Sequence, residues 1–313
     1  MKDKVSILLS TYNGSNFLEK QLLSIQNQTY PFELFVRDDG SNDNTLEILK
    51  NIFNKYNIKG KIIEGSNIGA SSSFFELLNQ FKHINPYIAF CDQDDIWIPN
   101  KLEKAIIFIQ ENEREYGKNY PLLYHSDLIL INDKDQLLNQ TFWEMVGLNP
   151  KFNQLNRILC QPTVTGCTMV INQSLLNRIE NPTNPNFIHD YWISLYASSF
   201  GKILIDSNSY IKYRIHNANV IGASKINLKR ILSLVFQPVN FIKKWNYEHN
   251  IRIEQGKEFY KLNQNNLTID QSRMLRSFNL LNNANWFYRL FLKFKYKFYQ
   301  QGLLRNIISF FLF

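Results

Sequence analysis

Three carboxylates fall within four positions of "FCDQDDIWIP", where Asp92, Asp94 and Asp95 follow directly on the apolar run "YIAFC". Ionised carboxylates beside a core are unfavourable unless something pairs with them. Asp92 and Asp94 form an Asp-x-Asp pair at a strand end, and alternate residues of an extended chain share a face, so both can point at one site. Hard oxygen donors of this kind suit Mg²⁺ or Mn²⁺, which leave positions open for substrate phosphates. A metal so held neutralises a diphosphate leaving group. The other reading of so short a stretch is a solvated acidic loop. Asp38 and Asp39 precede Gly40 at a second strand end. There a carboxylate could accept from a nucleobase N–H or ribose hydroxyls, or serve turn chemistry alone. Asp190, next to His189 at the start of an apolar helical stretch, is either an N-cap or a general base for an acceptor hydroxyl. His216, in "YRIHNANVIG", is either a metal ligand or phosphate donor, or an ordinary polar surface group.

Strands and helices must carry these groups. "KVSILLS" reads as a buried strand, and Leu18, Leu22 and Ile25 recur at helical spacing after it. "FELFVRDDG" is a second strand, and "SNDNTLEILKNIFNKY" a helix with Ser41 and Asn42 as capping residues. "KIIEG", "SSSFFELLNQF" and "YIAFCDQDD" continue as strand, helix and strand. This alternation predicts a mainly parallel sheet covered on both faces. "STYNG", "RDDGS" and "DQDD" all fall at the carboxyl ends of strands, the edge where ligands bind in open α/β sheets. Further on, "LLYHSDLILIN" reads as a strand pair, or a strand with an exposed polar start. "TVTGCTMVINQSLL" reads as a loop, short strand and helix start. "IHDYWISLYASSFG" is a helix ending at Gly201, and "KILIDSNSYIKYRIH" supplies one or two strands. Neither G-x-G-x-x-G after a strand nor G-x-x-x-x-G-K-[ST] is present, so dinucleotide oxidoreductases and P-loop ATPases lose ground.

The 313 residues, 44% hydrophobic and 20% charged, suit one large domain with or without an extension. Cys91, Cys160 and Cys167 have no paired or metal-like spacing, which favours a reducing compartment. The start has too short an apolar run for a secretory signal, and no uncharged run is long enough to span a bilayer. Net charge is +8, yet residues 225–313 hold 15 Lys/Arg against 4 Asp/Glu, while residues 1–224 hold 20 against 23. A soft boundary near Ile221–Ser224 follows from that change.

"VSILLSTYNGSNFLEKQLLSIQNQTYPFELFVRDDGSNDNT", "NIGASSSF", "FCDQDDIWIPNKL", "GCTMVINQSLL", "IHDYWISLYASSFGKI" and "YRIHNANVIG" occur in that order. Together they resemble family 2 glycosyltransferases, especially the bacterial rhamnosyltransferase-like branch, over residues 4–222. The resemblance implies an α/β fold of the GT-A type, a Rossmann-like mainly parallel sheet flanked by helices, with a C-terminal helical extension. It implies a catalytic domain over 1–222 and a basic, aromatic helical extension over 223–313. It implies an inverting transfer from a nucleotide sugar, dTDP-rhamnose or a UDP-sugar, assisted by Mn²⁺ or Mg²⁺. Carried over residue by residue, Ser10, Tyr12, Asp38, Asp39, Asn67 and Asp92 would bind the nucleotide, with Asp39 on the base. Asp94, Asp92 and His216 would hold the metal, and Asp190 would be the base. Gly166, Cys167, His189 and Asp95 would line the acceptor or sugar loop. The His189–Asp190 pair, where many members have Glu-Asp, fits the rhamnosyltransferase-like branch. The acceptor implied is a lipid-linked saccharide. A catalytically silent nucleotide-sugar-binding scaffold is the second hypothesis. A nucleotidyltransferase is the third, but it would need a glycine-rich basic loop that "STYNGSNF" lacks.

Residues 286–301, drawn as one helix, put Arg289, Lys293, Lys297 and Gln300 opposite Phe287, Leu290, Phe291, Phe294 and Phe298. Such a pattern predicts cations towards headgroups and aromatics in the boundary layer of the inner leaflet, or packing on protein. The chain is thus expected in the cytoplasm, peripheral on the membrane. No recognisable module points to nucleic acid.

Overall fold

The computed structural model describes residues 3–216 and 238–312. The expected boundary at Ile221–Ser224 and residues 217–222 of the "YRIHNANVIG" stretch lie outside the described residues. The chain opens with β1 (Val5–Thr11), α1 (Leu18–Gln26), β2 (Phe32–Asp38), α2 (Thr45–Tyr56), β3 (Gly60–Glu64), α3 (Ala70–Phe81) and β4 (Tyr87–Cys91). β1 pairs in parallel with β2 on one side and β4 on the other, and β2 pairs in parallel with β3. Both faces of β1 are covered. Val5, Ile7 and Leu9 belong to one core layer and Leu8 to the other, the two-residue period of a strand. α1 and α2 supply Leu18, Leu22, Ile25, Leu49 and Ile52 to the first layer, and α3 supplies Phe74, Leu77 and Phe81 to the second.

After β5 (Ile96–Trp97) and α4 (Lys101–Tyr116) come β6 (Leu122–Ile131), β7 (Leu137–Thr141), α5 (Phe142–Val146) and α6 (Leu155–Cys160). A 3₁₀ turn over Gly166–Thr168 leads to β8 (Val170–Asn172), α7 (Gln173–Leu176), α8 (His189–Phe200) and β9 (Lys202–Arg214). The sheet order is β3-β2-β1-β4-β8-β6-β9-β5, with β7 on β6. The first half is parallel as expected. In the second half β8 runs antiparallel to β4 and β6, while β6 and β9 are parallel. The result is a GT-A-like mixed α/β sheet flanked by helices.

Two local expectations change. Ser41 and Asn42 do not cap α2, which starts after Asn44, because Ser41 is already engaged as a donor to Asp38 through both its N–H and its hydroxyl. "LLYHSDLILIN" is one strand with no exposed start: His125, Ser126 and Asp127 are buried, and the Trp143 N–H at the head of α5 donates to Asp127 Oδ1 at 3.0 Å.

Four helices complete the described chain: α9 (Pro238–Asn263), α10 (Ile269–Asn279), α11 (Trp286–Tyr296) and α12 (Leu303–Leu312). Ile253, Phe259, Leu275, Phe278, Leu292 and Phe298 join the core layer of α3 and α8. The Phe259 ring meets Tyr196 edge-on at 4.9 Å. Each such buried ring contributes about 2–3 kcal/mol. The continuous wheel over 286–301 is corrected, since α11 ends at Tyr296 and Lys297 turns left-handed (φ 55°). The cations are not one outward face either. Lys293 is buried, its ammonium donating to the backbone oxygen and hydroxyl of Ser309, whereas Phe287, Phe291 and Phe294 face outwards. A buried ammonium needs acceptors, and the C-terminal part of α12 supplies them.

Candidate active site

The carboxyl ends of β1, β2 and β4 lie side by side, with Thr11 in register with Asp38 and Leu9 with Cys91. From β1 the chain steps to β2 and β3 on one side and β4 on the other, so the crevice at this edge is a topological switch point.

On the β2 side, Asp38 is buried and accepts from the Thr11 hydroxyl (2.9 Å) and from Ser41. Asp39 is also buried and ion-paired with Arg37, and it accepts from the N–H groups of Ile68 (2.9 Å) and Gly69 (2.8 Å). Its contacts leave acceptor capacity on Oδ2 for a further donor. Asp39 thereby holds the 66–69 loop, on which Asn67 is exposed. Gly40 has φ +81°, and a side chain there would meet the Asn67 backbone nitrogen at 3.2 Å. Ser10 Oγ donates to Ser73 Oγ at 2.8 Å, and Tyr12 is exposed at the rim.

The β4 side is acidic. Asp94 Oδ2 lies 2.8 Å from His216 Nε2, so residues 122 apart in sequence meet at the edge. Loss of water, then Asp94 and Asp190, hold the Asp92 carboxyl above the usual range. Asp95 turns inward, fully buried, accepting from the Arg214 N–H at 3.2 Å. Cys167 is buried against it, with burial pushing the thiol up. Asp92, Asp95 and Cys167 form a tight cluster, but a hard divalent cation prefers oxygen and imidazole donors to a protonated, desolvated thiol. Asp92 belongs to this trio and also feels the charge of Asp94, so the crowded carboxylates give a divalent cation an electrostatic reason to bind at this edge. The Asp95 and Cys167 side chains are buried, within 4.8 Å of the Asp92 carboxylate.

His189 and Asp190, the latter near enough to Asp92 to raise its carboxyl, open α8, with Ile188 in the N-cap position in place of Asp190. Asp190 Oδ2 accepts from the Gly166 N–H at 3.2 Å. Burial raises its carboxyl to about 6. His189 is clasped by the Phe74 ring (4.4 Å) and the Phe90 ring (5.7 Å), and burial lowers its imidazole to about 3. A side chain at Gly166 would stand 2.9 Å from His189 Nε2 and 3.6 Å from Asp190 Cβ. The imidazole is wedged and cannot yield. Gly166→Ala is accordingly expected to displace α8 at Asp190 and lower turnover about tenfold, with a melting temperature several degrees lower. Steady-state rates and thermal unfolding check both, and an unchanged pair would show that the wedge yields.

Three residues were not singled out from the sequence. Gln93 sits between the two rim aspartates, and its amide accepts from the Tyr12 N–H (2.9 Å) and donates to the Tyr12 carbonyl (3.0 Å). Buried Arg214 donates from Nε to the Asp94 carbonyl (2.8 Å) and from Nη1 to the Asn132 carbonyl (3.1 Å), and it pairs with Asp135. Its two-residue spacing from His216, which follows just past the end of β9, was a legible signal. Buried Lys101 packs over the Trp97 ring at 3.7 Å and places a positive charge beneath the acidic turn.

The switch-point edge thus gathers acidic and imidazole donors beside the buried Asp190 carboxyl, on a sheet of GT-A-like form. Solved structures agree on the fold. Over 93% of this chain and 73% of the other, the structure matches Staphylococcus aureus TarS 1–349 in complex with UDP-GlcNAc, at TM-score 0.57 and 19% identity. The chain covers 43% of a longer TarS chain. The glycosyl transferase family 2 model matches residues 6–179, and the chain belongs to that family. It is 30% identical to the dTDP-rhamnosyl transferase RfbG of Shigella flexneri over 241 residues, 71% of this chain and 78% of that one. It is 29% identical to the UDP-Glc:alpha-D-GlcNAc-diphosphoundecaprenol beta-1,3-glucosyltransferase WfgD of Escherichia coli, over 72% of this chain and 83% of that one.

Proposed function

We propose that the chain moves a sugar, rhamnose foremost, from a nucleoside-diphosphate donor to a hydroxyl of a growing lipid-linked surface saccharide, with inversion. The observation that carries this reading is the buried Asp190 carboxyl, lifted to about 6 and near enough to Asp92 for their charges to interact, at the edge where Asp94 meets His216. The name of RfbG supports a dTDP-rhamnose donor and that of WfgD a polyprenol-linked acceptor, and TarS, which shares the fold, was solved in complex with UDP-GlcNAc.

Ser10, Tyr12 and Asn67 line the nucleotide pocket, Asp39 accepts from the base through its remaining lone pair, and Asp38 fixes the turn beneath it. Asp92 faces the ribose or the metal. A divalent ion, Mn²⁺ or Mg²⁺, held by Asp94, Asp92 and His216 would offset the charge of the departing diphosphate. Asp190 accepts the acceptor proton as the hydroxyl oxygen bonds to the anomeric carbon, and the C–O bond to the diphosphate breaks with its electron pair leaving on phosphate oxygen. Gly166 leaves room for that geometry, and neutral His189 keeps α8 in place. Residues 1–222 form the catalytic unit in this reading, and residues 223–313 extend it. A polyprenol-linked acceptor places the protein at the inner face of the membrane, in the cytoplasm.

Nucleotide release by the full chain with a lipid-linked acceptor extract, across dTDP-rhamnose, UDP-glucose, UDP-galactose and UDP-N-acetylglucosamine, tests the reading. Metal-dependent release with dTDP-rhamnose alone is expected. Release with another donor would replace the sugar. Nucleotide binding without release from any donor would favour the silent scaffold.

A further inference from the structure

α11 and α12 carry an outward apolar ridge that the remainder of the described chain leaves open. Phe287, Phe291 and Phe294 stand at i, i+4 and i+7 of α11, and Leu303, Ile307 and Phe310 at the same spacing on α12. The two stripes meet where the Phe294 and Phe310 rings stack, 5.7 Å apart and 15° from parallel. Phe287 is 78% exposed, Phe294 62% and Leu303 78%, which is far from ordinary for such side chains. The hairpin is nevertheless firmly mounted. Lys293 ties α11 to α12 at Ser309, Asn156 Nδ2 donates to the Tyr296 carbonyl (3.0 Å), and the Gln301 N–H donates to Gln161 Oε1 (2.8 Å).

The charge around the ridge has one sign. From Gln271 to Phe313 the chain holds seven Lys/Arg and not one Asp or Glu. Lys295 and Lys297 are exposed beside the ridge, and the Lys295 ammonium lies 5.6 Å from the centre of the Phe291 ring. A second copy packed on this face would bring like charges together. An anionic lipid surface complements both features, with aromatic rings in the boundary layer and ammonium groups at the phosphates. Among the described residues no helix is long and apolar enough to cross a membrane, which leaves the helices lying along it.

We infer that the ridge of Phe287, Phe291, Phe294, Leu303, Ile307 and Phe310 is a docking surface for an anionic lipid bilayer, with Lys295 and Lys297 as its electrostatic flank. The inference deepens the membrane-side placement proposed above and rests on it, but lipid contact is measured without donor or acceptor. Its failure would therefore leave sugar transfer standing, and the reverse holds too.

Flotation of the full chain is the test, using vesicles of phosphatidylcholine alone or mixed with phosphatidylglycerol. The wild type is expected to float with the anionic vesicles and much less with the neutral ones. Phe287→Ser/Phe291→Ser/Phe294→Ser should lower the floated fraction at least about tenfold on both, from three lost boundary-layer rings. Lys295→Glu/Lys297→Glu, at exposed side chains and with folding checked by circular dichroism, should lower it on the anionic vesicles alone. Wild type that stays at the bottom with anionic lipid would overturn the inference, and so would a Lys295→Glu/Lys297→Glu variant that floats unchanged. Light scattering that shows a dimer dispersed by the triple variant, with no flotation, would assign the ridge to a second copy.

Discussion

Asp190→Asn is expected to lower sugar transfer about a thousandfold with little change in donor binding, the loss typical of removing a positioned base. The carboxylate must be ionised to take the acceptor proton, and burial lifts it to about 6. The wild-type rate should therefore rise with pH through a midpoint near 6 and level off above it. The Asn variant should lack that limb. Its stability should move the other way. A carboxyl whose folded pKa lies above its unfolded value of 3.8 makes the folded state bind more protons, so the ionised group lowers stability above that window. Two pKa units correspond to about 2–3 kcal/mol, less what Asn loses in accepting from the N–H groups of Gly166 and Tyr191. A gain of about 1–2 kcal/mol near pH 8 is expected, fading as pH falls through 6 and absent near pH 4. Urea titrations at the two ends check the stability, and pH–rate profiles the chemistry. A variant that keeps the wild-type pH limb would remove Asp190 as the base.

Asp94→Ala is the second large effect. Several kcal/mol of charge stabilisation at a diphosphate leaving group amounts to about a hundred- to thousandfold in rate. Chelator should silence the wild type and added Mn²⁺ or Mg²⁺ restore it, while Asp94→Ala stays low at every metal concentration. Binding of Mn²⁺ followed by its electron spin resonance, without donor, gives a readout free of catalysis. His216→Ala should weaken binding less, because an imidazole contributes no charge of its own when neutral. Cys167→Ser decides between the two acidic groupings at this edge. The thiol is buried against Asp95, so metal affinity should not change. Activity in Asp94→Ala near wild type and indifferent to chelator would sink the metal assignment.

Local features of this fold were legible and long-range ones were not. The parallel half of the sheet followed from apolar runs such as "KVSILLS" and "YIAFC", since each strand announces itself over a few residues. The placement of "STYNG", "RDDG" and "DQDD" on one edge followed from parallel connectivity. Meetings such as His216 with Asp94, or Gly166 with Asp190, depend on tertiary pairing: Asp94, Asp190 and His216 stood out as single residues, and Gly166 came forward only through family resemblance. The buried His125–Asp127 segment was misread because its polar residues look exposed until α5 covers them. The tail was read as amphipathic, which holds. A wheel, however, shows that a helix has two faces and not which one meets protein. Lys293 turned inward because Ser309, on the next helix, offered acceptors.

Gln93 has a practical corollary for anyone recombining this enzyme with its relatives. Its amide clasps both peptide groups flanking Tyr12, and a side chain at Gly14 would stand only 2.3 Å from Gln93 Oε1. Positions 14 and 93, 79 apart in the chain, are thus a single interlocking joint. A graft that exchanges the nucleotide-side loop without its acidic counterpart inherits half of that joint. Chimeras cut between them carry a mismatch that neither parent contains, whereas those that move both together keep the seam closed.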